Sequence, residues 1–179
     1  MVGVGTPELG RAVIVTTDVS GFAETSFLVG PRSGVANHKV KAKVVGYENE
    51  IIFTASANSV TGDKVSINSG NNQRGIVGQT LPAPFIVAVT DHGANTVKGA
   101  RIRFDIIEGE GLFQNEETSY ETITDTDGRA IAQLTLGPLT GIDAQRVEAI
   151  LLDGPDGIEL MAGFSATAFI AADPGNTSL

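Results

Sequence analysis

The sequence predicts an all-β protein folded as an antiparallel β-sandwich, and three observations support that prediction. Apolar and polar residues alternate along most of the chain, which is the period of a half-buried strand. Turn residues interrupt this alternation about every 8–12 residues, the spacing typical of sandwiches and barrels. The composition is rich in Val, Ile and Thr and includes 22 glycines but no tryptophan. That composition suits short strands joined by tight turns.

Four segments show the strand pattern most clearly. The segments and the turn residues that end them are 85–90 before 91–93, 100–106, 131–136 before Gly137 and Pro138, and 147–151 before 153–157. In the second segment Ile102, Phe104 and Ile106 share one face, which we predict to point into the core. Phe85 and Phe164 fall at similar inward positions. Phe113 lies in a predicted loop, where we expect it to plug the edge of the core.

The chain also contains two copies of one plan of turns and strands. Gly21 and Gly128 are matched turn glycines at an offset of 107 (128 − 21). Further pairs at this offset are Gly30 and Gly137, Pro31 and Pro138, Gly34 and Gly141, Val40 and Val147, and Ala42 and Ala149. Phe53 and Phe164 are offset by 111 (164 − 53), so the second copy has four extra residues (111 − 107). We place these in the turn at 153–157.

The offsets predict the domain boundaries. Residues 1–60 are expected to be the C-terminal half of a sandwich domain whose front strands are missing. Residues 61–172 are expected to form a complete domain, and residues 173–179 to begin the next linker and first strand. This organisation predicts that the chain is part of a longer tandem array.

Three stretches of the second copy resemble a known family. They are 70–91, which opens Gly70-Asn71-Asn72-Gln73-Arg74-Gly75; 95–104, which reads Asn95-Thr96-Val97-Lys98-Gly99-Ala100-Arg101-Ile102-Arg103-Phe104; and 125–137, which includes Asp125-Thr126-Asp127-Gly128-Arg129-Ala130. In order and spacing they resemble the bacterial immunoglobulin-like domains of the invasin and intimin group. The resemblance covers most of residues 65–170 and is echoed in 14–57.

The resemblance implies an immunoglobulin-like antiparallel β-sandwich in a secreted or cell-surface bacterial protein. It further implies a structural or adhesive spacer without catalysis, whose partners are neighbouring immunoglobulin-like domains of the same chain. One alternative is a ligand-binding module that recognises carbohydrate or a host or partner protein through its loops. Another is a fragment or an accessory domain of an enzyme.

Composition argues against several other classes of protein. The net charge of −9 and the scarcity of Lys and Arg, 12 in all, disfavour nucleic acid as a partner. No run of about 18 apolar residues is present, so direct membrane insertion is not expected. The chain has no cysteine. Disulfide bonds, zinc–thiolate sites and cysteine nucleophiles are therefore excluded.

Calcium is the one cofactor that the sequence suggests. Asp125 and Asp127 alternate before a glycine, as carboxylates do in calcium loops, but the distal glutamate of an EF-hand is absent. A hairpin turn is the competing interpretation, and we prefer it. Asp153 and Asp156 form a second weak candidate, where Asp-Gly is itself a hairpin signal. Asp63 and Asp173 would lie near the two linkers, where calcium could stiffen an array.

No catalytic or cofactor-binding residue is predicted. The two histidines, His38 and His92, each follow a turn-like residue, and no Gly-x-Ser-x-Gly elbow accompanies them. Gly109-Glu110-Gly111 is not followed by a helix that could receive a phosphate. The acidic group Glu108, Glu110, Glu116 and Glu117 is interpreted as solvated loop charge.

A half sandwich leaves its inner face uncovered, so residues 1–60 predict self-association. The residues expected on that face are Phe22, Phe27, Leu28, Val40, Val44, Ile52 and Phe53. An apolar surface of this extent is more than a monomer usually exposes. We expect two half domains to pack face to face or to exchange strands about a two-fold axis.

Overall fold

The computed structural model describes residues 12–59 and 61–171, and all the regular structure in these residues is β. The strands are β1 Gly34–Lys43, β2 Glu50–Ala57, β3 Lys64–Ser69, β4 Gln73–Ile76, β5 Phe85–Thr90, β6 Arg101–Glu108, β7 Leu112–Phe113, β8 Ser119–Ile123, β9 Arg129–Ala132, β10 Leu134–Thr135, β11 Gly141–Leu151 and β12 Leu160–Phe169. These residues include no helix that is long and apolar enough to cross a membrane.

Strands β3 to β12 form a sandwich. One sheet has the order β4-β12-β11-β6-β8, the other has the order β3-β5-β9, and β7 and β10 form a short ribbon. All neighbours are antiparallel except β4, which runs parallel to β12. The chain thus gives β3 to one sheet and β4 to the other before it enters the body of the sandwich. The predicted all-β antiparallel sandwich is confirmed, and its layout is consistent with an immunoglobulin-like domain.

The core lies between the two sheets, where the alternating pattern placed it. Phe85 of β5 stacks on Phe164 of β12 with ring centroids 4.6 Å apart, so this pair joins the two sheets. Phe104 lies fully buried beside them, and Ile102 is fully buried two residues away on the same face of β6. Burying each of these side chains contributes on the order of 2 kcal/mol to the free energy of unfolding. The inward positions predicted for the three phenylalanines are confirmed.

Phe113 is buried as predicted, although it does not lie in a loop. It belongs to the two-residue strand β7, where it pairs with Leu134 of β10. Its ring meets Phe104 edge-on at 6.2 Å. The ribbon therefore closes one side of the core with an aromatic contact.

Strands β1 and β2 form a separate hairpin that repeats the pairing of β11 and β12. The equivalent pairs are Gly34–Ala57 and Gly141–Ala168, His38–Ala55 and Gln145–Ala166, and Val40–Phe53 and Val147–Phe164. Both hairpins shift register at the same place, between the first and second of these pairs. In both, the third residue of the first strand has positive φ, 51° at Ala36 and 53° at Asp143.

The four extra residues of the second copy lie where they were placed. Lys43 pairs with Glu50 at the end of the first hairpin, and its counterpart Ile150 pairs with Met161. Six residues separate the first pair (50 − 43 − 1) and ten separate the second (161 − 150 − 1). The hairpin strands therefore keep their register, and the turn alone absorbs the insertion.

The turns that precede the hairpins also match. The amide of Gly21 donates to the Asp18 carbonyl at 3.0 Å, and the amide of Gly128 donates to the Asp125 carbonyl at the same distance. Both glycines have positive φ, 83° and 71°, which a residue without Cβ adopts at little cost. Yet residues 12–33 form no strand, whereas β9 and β10 follow the second turn. Their partners β5 and β7 have no counterpart among the described residues before β1.

Candidate functional site

A tight turn between β5 and β6 meets the segment that leads into β1. In this turn the buried Asp91 accepts hydrogen bonds at its Oδ1 from the amides of Gly93 and Asn95, both at 2.9 Å. The backbone amide of Asp91 donates to the Asn95 carbonyl at 3.0 Å. Ala94 takes positive φ, 60°, to close the turn. The turn is therefore fixed by its own bonds, and it presents the Asn95 side chain in one orientation.

Asn95 joins the turn between β5 and β6 to the segment before β1. Its Nδ2 donates to the Pro31 carbonyl at 2.6 Å, and its Oδ1 accepts from the Ser33 amide at 2.9 Å. The side-chain amide thus bonds to the carbonyl of Pro31 and to the N–H of Ser33, two residues later. A neighbouring strand bonds to a backbone in the same way. Nδ2 also donates to the Asp91 carboxylate. Both donors and the acceptor of the Asn95 amide are therefore engaged.

Gly93 allows this close approach. A Cβ at this position would overlap the Pro31 carbonyl oxygen, so only glycine leaves room for the corner of the first copy. Sequence reasoning missed this contact, because Asn95 and Pro31 are 64 positions apart and no pattern relates one position to the other. The available signal was the Asp-x-x-x-Asn spacing of a turn whose aspartate binds its own backbone. We call residues 91–95 the clamp turn and residues 31–33 the corner.

The hairpin of β1 and β2 has one apolar face, and that face is open. Val40 lies opposite Phe53, and Phe53 is 58% exposed. Their counterparts Val147 and Phe164 are 1% and 2% exposed, because β5 and its neighbours cover them. The face predicted for self-association therefore exists. No described residue of the chain covers it in the way that the second hairpin is covered.

One residue was assigned to the wrong face. Ile52 pairs with Lys41, so its side chain lies on the opposite side of the hairpin from Phe53. Phe22, Phe27, Leu28 and Val44 are exposed. Of these, Phe27 and Val44 match the buried Leu134 and Leu151 at an offset of 107 (134 − 27 and 151 − 44), whereas Phe22 and Leu28 match the non-core positions 129 and 135. The open face is consequently narrower than expected, and it includes Phe27, Val40, Val44 and Phe53.

Asp125 and Asp127 serve the turn in which they lie. The Oδ1 of Asp125 accepts from the amides of Asp127 and Arg129 at 2.8 and 2.9 Å. Asp18 makes the same pair of bonds in the first copy with no second carboxylate nearby in sequence. The side chain of Asp127 lies 3.9 Å from Arg129. These bonds favour the hairpin-turn interpretation of the Asp125 motif.

The other calcium candidates are dispersed. Asp153 accepts from the Arg101 amide at 3.0 Å, and Asp156 is exposed in the same turn. Asp63 donates its amide to the Thr90 carbonyl, whereas Asp173 lies outside the described residues. Across residues 12–59 and 61–171, no three His, Asp or Glu side chains gather as a metal site would require. Calcium binding stays a prediction, and a calorimetric titration tests it.

The two histidines have different surroundings. His38 Nε2 is 2.9 Å from the Arg32 carbonyl and helps to shape the corner. His92 is exposed within the clamp turn. On the sandwich surface, the hydrogen bond and charge of Asp105 raise the pKa of Arg103. The side chain of Asn95 supplies the hydrogen bonds that join the segment before β1 to the sandwich.

Comparison with known proteins leaves the junction and the fold as the basis for assigning a function. No protein-family model matches the chain, and no curated protein matches it significantly.

Proposed function

We propose that this chain is a segment of a tandem array of immunoglobulin-like domains that acts as a structural or adhesive spacer. One observation carries the proposal: the pairing of β1 with β2 repeats the pairing of β11 with β12 residue by residue, including the register shift. Independent domains of unrelated origin have no reason to share a bulge at the same position. Two consecutive copies of one domain plan account for it.

The contact between the clamp turn and the corner supports a stiff spacer rather than domains joined by a flexible linker. The clamp turn binds the corner of the preceding copy through two hydrogen bonds from Asn95. Each bond is worth about 1 kcal/mol, so together they bias the joint without locking it. An array of domains joined in this way resists bending, which is what a stalk requires.

The sequence resemblance to the invasin and intimin group supports a place outside the bacterial cell. In that reading the domain body is structural, and the partners of each domain are its neighbours in the array. The net charge of −9 supports a role away from nucleic acid. Recognition of carbohydrate or of a partner protein through the loops is the alternative. A glycan array with specific hits that loop substitutions abolish would favour it.

The open face of the first hairpin supports a further partner, which is a second copy of this chain. Phe27, Val40 and Phe53 form an apolar surface beside strand edges that no other described strand pairs with. Two such hairpins packed face to face would cover both surfaces at once. In the intact array, the preceding strands of the same domain would take this place.

Single-molecule pulling on the parent polypeptide tests the spacer proposal. Each domain of about 107 residues should unfold as one event that lengthens the chain by about 350–385 Å less the end-to-end length of the folded domain, given about 3.3–3.6 Å per extended residue. We expect a series of such equal steps. The present chain, pulled in the same way, is the control and should give one step of this size. Steps of unequal length, or a parent with one step only, would contradict a tandem array.

A further inference from the structure

We propose that the corner at Pro138–Thr140 of the second copy is the docking site for the clamp turn of a following copy of the domain. The inference rests on the proposed tandem array and names the surface through which consecutive domains bind. Residues 138–140 take no part in the contact between the clamp turn and residues 31–33, so the proposal gives them a role of their own. The occupant is the Asp-x-Gly-x-Asn turn equivalent to residues 91–95.

The two corners have the same conformation. Residues 31–33 and 138–140 are related by the offset of 107 (138 − 31). In the first, His38 Nε2 lies 2.9 Å from the Arg32 carbonyl. In the second, Gln145 Nε2 donates to the Leu139 carbonyl at 2.7 Å. Position 145 matches position 38 at the same offset (145 − 38 = 107), so equivalent side chains hold equivalent carbonyls.

The backbone that follows each corner also matches. Gly34 and Gly141 have φ of 147° and 142°, a conformation that favours glycine. Each glycine begins the hairpin strand and pairs with an alanine of the next strand, Ala57 or Ala168. The corner is thus fixed on both sides, by a side-chain bond and by a strand.

The second corner offers the two groups that the clamp turn binds in the first. In the first corner the Pro31 carbonyl and the Ser33 amide are bonded to Asn95. Among the described residues, the equivalent Pro138 carbonyl and Thr140 amide have no hydrogen-bond partner. Thr140 is exposed, whereas Ser33 is partly covered. This difference in exposure is what an occupied and an unoccupied docking site should show.

Recognition through the backbone explains how unlike side chains can serve the same purpose. The middle residue is Arg32 in one corner and Leu139 in the other, yet Asn95 touches only main-chain atoms of the first. The hydrogen bonds of the clamp turn therefore depend on the backbone of the corner and not on its side chains. The absence of a Cβ at Gly93 lets the Pro31 carbonyl lie close to the clamp turn.

The test uses an extended chain in which residues 1–174 are followed directly by a second copy of residues 64–171. Lys64 of the added copy then stands seven positions after Ala168 (175 − 168), as it stands seven after Ala57 (64 − 57) in the native chain. Segmental isotope labelling of residues 1–174 isolates one Thr140 signal. The measurement is amide hydrogen exchange by NMR, with Ser33 as the internal reference for an occupied corner.

We expect the Thr140 amide to exchange at least about tenfold more slowly in the extended chain than in the native one. The matched control places Asn95→Ala in the added copy only. It should return the Thr140 rate to the native value and leave Ser33 unchanged. Asn95→Ala in the original copy should do the reverse, with faster exchange at Ser33 and no effect at Thr140.

Three results would overturn the proposal. The first is an unchanged Thr140 rate beside an added copy whose methyl spectrum shows it to be folded. The second is a Ser33 amide that is unprotected in the native chain, since the template contact would then be absent. The third is an added copy that fails to fold at the native spacing, because a corner built to receive it should permit folding. If any one of these results is obtained while the parent polypeptide still unfolds in equal steps, the proposed tandem array is retained and its domains are joined flexibly.

Discussion

Gly70 shows how one residue constrains the entry into the sandwich. Its φ is 88°, and a Cβ there would overlap the Pro84 carbonyl oxygen at the start of β5. Gly78 has a similar φ of 75° but open space around it. The two positions therefore separate backbone strain from steric overlap.

Gly70→Ala is expected to lower the free energy of unfolding by at least about 3 kcal/mol, because strain and overlap add. Gly78→Ala, the matched control, should cost only about 1 kcal/mol, which is the strain alone. Urea unfolding followed by circular dichroism measures both. Equal losses in the two variants would show that the Pro84 contact relaxes freely.

Gln145 is a fully buried polar side chain that satisfies the backbone of the second corner. Its Oε1 accepts from the Gly137 amide at 3.1 Å, and its Nε2 donates to the Leu139 carbonyl at 2.7 Å. Removing it leaves the buried Gly137 amide and the partly buried Leu139 carbonyl without this partner, and a buried polar group left unpaired costs about 1–3 kcal/mol.

Gln145→Leu should therefore lower the free energy of unfolding by about 2–3 kcal/mol. Gln133→Leu is the matched control, because Gln133 also donates to a carbonyl, that of Leu81, but lies only partly buried. Water can replace that bond, so its loss should cost about 1 kcal/mol or less. Thermal or urea unfolding distinguishes the two, and a Gln145 variant as stable as the Gln133 variant would contradict the role given to the corner.

At the scale of the element, alternation and turn residues were enough to predict the core strands. Phe104 and Ile102 alternate with charged residues, and burial of one face of β6 follows directly. The same rule of alternation, applied to β2, places Ile52 and Phe53 on opposite faces of the hairpin. The error came from treating an apolar run as one surface. The two-residue strand β7 was missed because two residues show no period.

The two hairpins are one element in two environments. The second is covered on its inner face, and the first has no cover from the described residues. Ile52 and Phe53 make this difference measurable, since they are adjacent, are 51% and 58% exposed, and lie on opposite faces. Substituting each in turn changes one face at nearly constant composition.

We expect the chain to self-associate at micromolar concentration, and Phe53→Ser to weaken the association at least about tenfold. Losing the contact of one phenylalanine removes about 2 kcal/mol, which is more than a factor of ten in affinity. Ile52→Ser should leave the association within about twofold of the native chain. Multi-angle light scattering over a concentration series gives both values. A native chain that is monomeric throughout, or equal effects of the two variants, would contradict pairing through this face.

At the scale of the whole molecule, the proposed function depends on how copies join and not on any one cleft. The sequence predicted the copies because turn glycines and core residues repeat at fixed offsets. The joint could not be predicted in that way. The Asn95 side chain meets a backbone 62–64 positions earlier, and no local pattern encodes such a contact. A single side chain thus contributes to how the first hairpin is held against the sandwich.

Asn95→Ala should loosen the joint between the first hairpin and the sandwich. The substitution removes both hydrogen bonds to the corner, which together contribute about 2 kcal/mol. Spin labels can be attached to cysteines introduced at two exposed positions, Lys43→Cys and Lys98→Cys. Because the native chain has no cysteine, no other position is labelled. Pulsed electron spin resonance then measures the distribution of distances between the labels.

We expect a single narrow distribution in the native background and a clearly broadened one with Asn95→Ala. Asn115→Ala is the matched control, since Asn115 donates to the Ser119 carbonyl within its own loop and is remote from the joint in sequence. It should leave the width unchanged. If the native distribution is already broad, the two bonds do not hold the joint, and stiffness of an array would have to come from the linker. If Asn95→Ala leaves a narrow distribution unchanged, packing around Gly93 holds the joint without the asparagine.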